Sequence, residues 1–104
     1  MKPIKMKMRD MDSVLEYTTE NPSVIHHQTY KMLEWVYKKK KKPTSIELLI
    51  IELTDDEELD EAVLNVEAFE WELALELGLK FFEEQEEYEM CIKVNELLTT
   101  IKNN

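Results

Sequence analysis

The chain has 104 residues, a net charge of −10, 35% charged and 43% hydrophobic residues, one Gly and three Pro. That length makes one domain able to bury a core unaided, and the balance excludes a disordered tail. So few turn residues argue against sandwiches, barrels and Rossmann-type folds. The expectation is therefore all-α: a small bundle of four to five helices with a long central acidic helix, a C-terminal helical hairpin and a short N-terminal strand-like arm.

Along the chain, Ile4, Met6 and Met8 alternate with Lys5, Lys7 and Arg9, the period of a half-exposed strand. Residues 1–11 read as a basic arm, or as a strand that needs a partner edge. Ser13 to Glu16, Thr44 to Glu47 and Thr54 to Glu57 have the S/T-x-x-E spacing of a capping box, and Asn21-Pro22 offers a cap followed by Pro at the first helical position. These signals predict a short helix over 13–20 and a longer one over 22–41, ended by Pro43 after the run Lys38 to Lys42. Residues 46–53 fit a helix through Ile46, Leu49, Ile50 and Leu53 and its Thr44 cap, which is the preferred reading; a buried strand opposite the N-terminal one is the alternative. The chain thus divides into the arm, N-terminal helices over 12–53, and an acidic long helix with a C-terminal hairpin over 54–104, all within one domain, 1–104.

From Asp55 onward two apolar stripes appear at helical spacing. One holds Leu59, Ala62, Val63, Val66, Phe69, Leu73 and Leu77, the other Leu64, Ala68, Trp71, Leu75 and Phe82. Acids fill the bands between them: Asp56, Asp60 and Glu67 on one side, Glu57, Glu61, Glu72, Glu76 and Glu83 on the other. A helix greasy on two sides is central or lies between chains, so Trp71, Leu75 and Phe82 are candidates for self-association as a homodimer. The final helix, 87–102, carries Tyr88, Cys91, Val94, Leu97 or Leu98, and Ile101 on one side.

Residues 1–42 hold ten Lys or Arg against five Asp or Glu, and residues 43–104 three against eighteen. Such asymmetry is either closed inside the chain or used to attract a charged partner. The net charge argues against direct nucleic-acid binding, although Lys38 to Lys42 lie near Tyr30, Trp35 and Tyr37.

No constellation for chemistry emerges. His26 and His27 point about 100° apart on a helix and cannot share a metal. The acids at 55–58 lack the Gly and alternating ligands of a calcium loop. Cys91 has no second cysteine for a disulfide or zinc knuckle and lies on an apolar helical face, the position of an inert thiol. No cofactor, metal or catalytic residue is expected. Without an apolar run of about 20 residues no membrane span is expected either, and the single cysteine fits a reducing, cytoplasmic setting. Lys outnumbers Arg twelve to one, the usage of AT-rich genomes such as low-GC bacteria and their phages.

Glu86-Glu87-Tyr88-Glu89-Met90-Cys91-Ile92-Lys93-Val94-Asn95-Glu96-Leu97-Leu98 resembles the second half of the UVR helical hairpin of bacterial excision-repair nuclease subunits and some stress-protease adaptors. Tyr88, Glu89, Cys91, Val94, Glu96 and Leu98 match; Ile92 stands for a small residue and Asn95 for the characteristic Arg. The resemblance implies a protein-interaction hairpin. The sequence therefore reads as a non-enzymatic, acidic interaction or regulatory protein. Its partner, a basic protein, would meet Asp56, Asp60, Glu67, Glu72, Glu76, Glu83, Tyr88 and Val94. An acidic inhibitor that mimics DNA and blocks a nucleic-acid enzyme is the alternative, and a structural or virion-associated component the second.

Overall fold

The computed structural model describes residues 1–103. It overturns the all-α expectation, because a mixed three-stranded sheet accompanies four helices. In chain order the elements are β1 (Ile4–Met8), α1 (Met11–Glu20), α2 (Pro22–Lys38), β2 (Ser45–Leu53), β3 (Glu61–Glu67), a single 3-10 turn (Ala68–Glu70), α3 (Trp71–Glu84) and α4 (Tyr88–Lys102). β2 is the central strand, parallel to β1 and antiparallel to β3.

The alternation in β1 is real, but β1 is no loose arm. Ile4, Met6 and Met8 stand beside Leu49, Ile51 and Leu53 of β2, and Thr54 N–H donates to the Met8 carbonyl at 2.9 Å. The parallel connection requires a crossover, which α1 and α2 supply. Residues 46–53 are strand, not helix. Ile46, Leu48, Leu49, Ile51 and Leu53 are buried, a number that one face of a surface helix could not hide but a central strand with a bulge can. The register shifts between Glu47 and Leu49, and the buried Gln28 side chain donates to the Leu48 carbonyl at 3.4 Å, covering a backbone acceptor where the ladder is irregular.

The long acidic helix does not exist as one element. Its first half is the β2–β3 loop and β3, where Ala62, Leu64 and Val66 face the core and Glu61, Val63 and Asn65 face out. Only its second half is helix. β2 and β3 pair as one antiparallel hairpin across the 53/54 boundary. None of the three S/T-x-x-E boxes caps a helix. Asp10 caps α1, accepting the backbone N–H of Ser13 at 3.0 Å and its hydroxyl at 2.9 Å. Asn21 both closes α1 and stands at the N-cap of α2, where its side chain makes no cap bond: its backbone N–H and its side-chain amide both donate to the Tyr17 carbonyl at 2.9 Å.

α2 packs on β2 and also on α3, which pairs with α4 as an antiparallel hairpin. The core joins Leu33, Val36, Leu49, Ile51, Leu75, Phe82, Val94 and Leu98. Burying each such side chain stabilises by roughly 1.5–3 kcal/mol before entropy. α2 and α3 end without glycine: Lys41 N–H reaches the Val36 carbonyl at 3.0 Å after α2, while after α3 Glu87 N–H reaches the Phe82 carbonyl at 2.9 Å. Both turns are Schellman-type and force Lys40 (φ 53°) and Glu86 (φ 58°) into the left-handed region. Among the described residues no helix is long and apolar enough to cross a membrane.

Candidate functional site

The second apolar stripe of the sequence lies inside the chain. Trp71, Leu75 and Phe82 are buried, and α2 is what covers them. Tyr37 meets Trp71 edge-on at 6.1 Å, and His26 and His27 lie against Phe81 and Phe82, both at 4.9 Å between nearest ring centres. The Trp71 indole donates to the Val66 carbonyl at 3.0 Å, which locks the strand end to the helix start. Leu75 and Phe82 offer nothing to a second copy, and Trp71 reaches the surface only in the groove it shares with Tyr37. Val94 is likewise buried and cannot touch a partner.

Of the first stripe, Ala62 and Val66 face the core from β3, and the part from Phe69 onward is left in solvent. Phe69 is 88% exposed, Leu73 57% and Leu77 53%. Spaced four apart, they form one ridge from the 3-10 turn along α3. Scattered apolar exposure is ordinary, but a row of three large side chains on one helix is a patch. Glu72, Glu76 and Glu83 follow the flank of the same helix and are exposed, so that part of the second acidic band stands, whereas Glu57 and Glu61 lie in the β2–β3 loop and at the start of β3.

The first acidic band does not stand. Asp56 and Asp60 lie in the β2–β3 loop and Glu67 at the far end of β3, separated by about 20 Å of strand. In the loop, the Asp56 carboxylate accepts the N–H groups of Glu58 at 2.9 Å and Leu59 at 2.8 Å. Tyr88 is exposed at the start of α4, one turn before the exposed Ile92.

Few acids are neutralised within the chain. Among the described residues the ion pairs are Lys7–Glu52 at 3.8 Å, Arg9–Asp55 at 3.2 Å, His27–Glu87 at 3.4 Å and Lys102–Glu76 at 3.4 Å. Of the α3 band only Glu76 has a partner. Three of these four pairs join the basic half of the sequence to the acidic half, so the two halves pack together while most of the acids stay without an ion-pair partner among the described residues. Exposed pairs of this kind contribute about 0–1 kcal/mol each.

The nucleophile and base candidates stand apart. Burial and the nearby Glu83 carboxylate push the Cys91 thiol up, away from the thiolate that attack requires. Burial first, then the neighbouring His27, lowers the His26 pKa. Among the described residues no three His, Cys, Asp or Glu converge on a point where a metal ion would fit. Comparisons with protein families, curated proteins and solved structures give no match.

The sequence contained the ridge, since Phe69, Leu73 and Leu77 belong to a recognised stripe. Periodicity alone had no means of telling which stripe would meet α2 and which would meet water.

Proposed function

We propose that the protein is a non-enzymatic interaction protein that inserts the Phe69–Leu73–Leu77 ridge of α3 into an apolar groove with a basic rim on a protein partner. The observation that carries this reading is the exposure of that ridge, 88%, 57% and 53% along its length, beside the acids Glu72, Glu76 and Glu83. Apolar anchors at such spacing on one helix are the pattern of helix-in-groove recognition. The flanking carboxylates supply orientation and association rate more than affinity. The reducing cytosol is the compartment that keeps the single thiol Cys91 free.

The experiment compares capture of partners from source-cell extract by the wild-type chain and by Leu73→Glu and Phe69→Ala. Both changes fall on exposed side chains and leave the core alone. A central anchor typically costs 2 kcal/mol or more of binding on truncation, so partner recovery should drop at least tenfold. Added salt should weaken it further by screening the acids. Capture that is equal for all three chains and indifferent to salt refutes the reading.

A further inference from the structure

The charge asymmetry of the sequence becomes two poles in the fold. Lys38 to Lys42 come just before β2, and the acids 55–61 come just after it. Nine residues of strand hold these ends roughly 25–30 Å apart.

At the basic end Tyr37, Lys40, Lys41, Lys42, Pro43 and Trp71 line a groove of about 610 Å³. Its floor is the edge-to-face pair Tyr37–Trp71, with Trp71 held in place by its bond to Val66. The lysine turn is pinned by the bonds from Lys40 to Tyr37 at 3.2 Å and from Lys41 to Val36 at 3.0 Å. Glu67, Glu70 and Glu72 are not far along the chain, yet among the described residues no carboxylate forms an ion pair with any of Lys38 to Lys42. Five neighbouring ammonium groups stay unneutralised in a chain of net charge −10.

At the other end Asp56, Glu57, Glu58, Asp60 and Glu61 surround Leu59, which is 48% exposed. The two backbone bonds to the Asp56 carboxylate shape the loop around that leucine.

We infer that the groove receives residues 56–61 of a second copy, with Leu59 on the Tyr37, Pro43 and Trp71 rings and the carboxylates against Lys40, Lys41 and Lys42. Charge and shape agree: five acids and one apolar side chain meet a lysine rim over an aromatic floor. Because groove and segment lie at opposite ends of the sheet, one contact leaves a free groove on one copy and a free segment on the other. Such a heterologous contact repeats into an open head-to-tail chain. The α3 ridge takes no part, so this inference stands apart from the proposed function. Each added copy would present another ridge, and avidity would grow with chain length.

Electrostatics sets an unusual salt dependence. Near 0.01 M salt the Debye length is about 30 Å, and the net charges of two copies repel across the whole molecule. At about 0.15 M it falls to roughly 8 Å, so that only the facing poles count. Near 1 M, at about 3 Å, the poles are screened as well. Light scattering on the full chain should show a mass above the 12.5 kDa protomer that rises with concentration, is greatest at intermediate salt and returns to the protomer near 1 M.

Two variants test the contact. Lys41→Glu with Lys42→Glu reverses the groove and spares the left-handed Lys40; Glu57→Lys with Glu58→Lys reverses the segment and spares Asp56. Each should weaken self-association roughly tenfold or more, since like charges are brought together. Mixed one to one, the native segment of the first meets the native groove of the second and the reversed segment meets the reversed groove with opposite charge, so association should return in the mixture. A wild-type chain that is a protomer at every salt concentration overturns the inference. So does association that survives both double reversals, or that Leu73→Glu abolishes.

Discussion

Gly78 is the chain's only glycine, and it sits in the middle of α3 against His26 rather than at a helix end. A helix-interior glycine costs about 0.5–1 kcal/mol relative to alanine through backbone entropy. The question is whether a methyl group would fit. A Cβ built at Gly78 would lie 3.4 Å from His26 Nδ1 and 3.8 Å from its Cβ and Cγ, ordinary contact with a side chain able to shift slightly. Gly78→Ala should therefore stabilise the fold by about 0.5–1 kcal/mol, raising Tm by roughly 4–8 °C per kcal/mol for a domain near this size. Urea and thermal denaturation followed by circular dichroism would measure it. Gly78→Val adds two further methyls toward the imidazole and a β-branch in the helix, so it should lower stability. A cycle with His26→Ala separates the two contributions: in that background the alanine gain should be complete. Loss of stability on Gly78→Ala in both backgrounds would refute the reasoning, because helix propensity would then have been overridden by something other than the His26 contact.

The two left-handed residues give an independent test. Lys40→Gly and Glu86→Gly should each stabilise by roughly 1 kcal/mol, the cost of a side chain in that region, while the same change at the neighbouring helical Lys38 should destabilise; denaturant midpoints distinguish them. His26 governs part of the pH response. Its folded pKa lies below the unfolded value of 6.5, so the unfolded chain takes up the proton first as pH falls. Stability is then fully present above pH 6.5 and declines below it, by at most about 1.4 kcal/mol per pH unit for one proton. His26→Gln should flatten this slope in Tm measured between pH 7.5 and 5.5, and an unchanged slope would assign the effect elsewhere.

How much was legible depends on whether a signal was local. The Ile4–Met8 alternation, the Asn21-Pro22 boundary and the face of α4 holding Cys91, Val94 and Leu97 follow from one element's own residues, and each has its counterpart in the fold. The partner of β1 was not local: it lies in β2, some 45 residues on, and no pattern within β1 could name it. The capping boxes misled for a different reason. With 23 acids in 104 residues, a Glu three places after a Ser or Thr arises by composition alone. At Ser13 the real cap is Asp10, three residues upstream, and the serine is its donor.

The false long helix failed at one point, and that point explains the site as well. Leu59, Val63, Phe69 and Leu73 kept helical spacing only because a loop, a strand and a 3-10 turn happened to preserve the phase. The change from strand to helix falls at Glu67–Glu70, where the Glu67 N–H donates to the Glu70 carboxylate at 3.3 Å. The spacing is that of a capping box, but with Glu in the place of Ser or Thr, so a search for hydroxyl caps passes over it. Once the helix begins there, Trp71 falls on the inner side and its indole is fixed to Val66. Leu75 and Phe82 follow it into the core at helical spacing, and Phe69, Leu73 and Leu77 are left on the outer side. A single strand-to-helix junction thus decides which stripe stabilises the chain and which is free to bind.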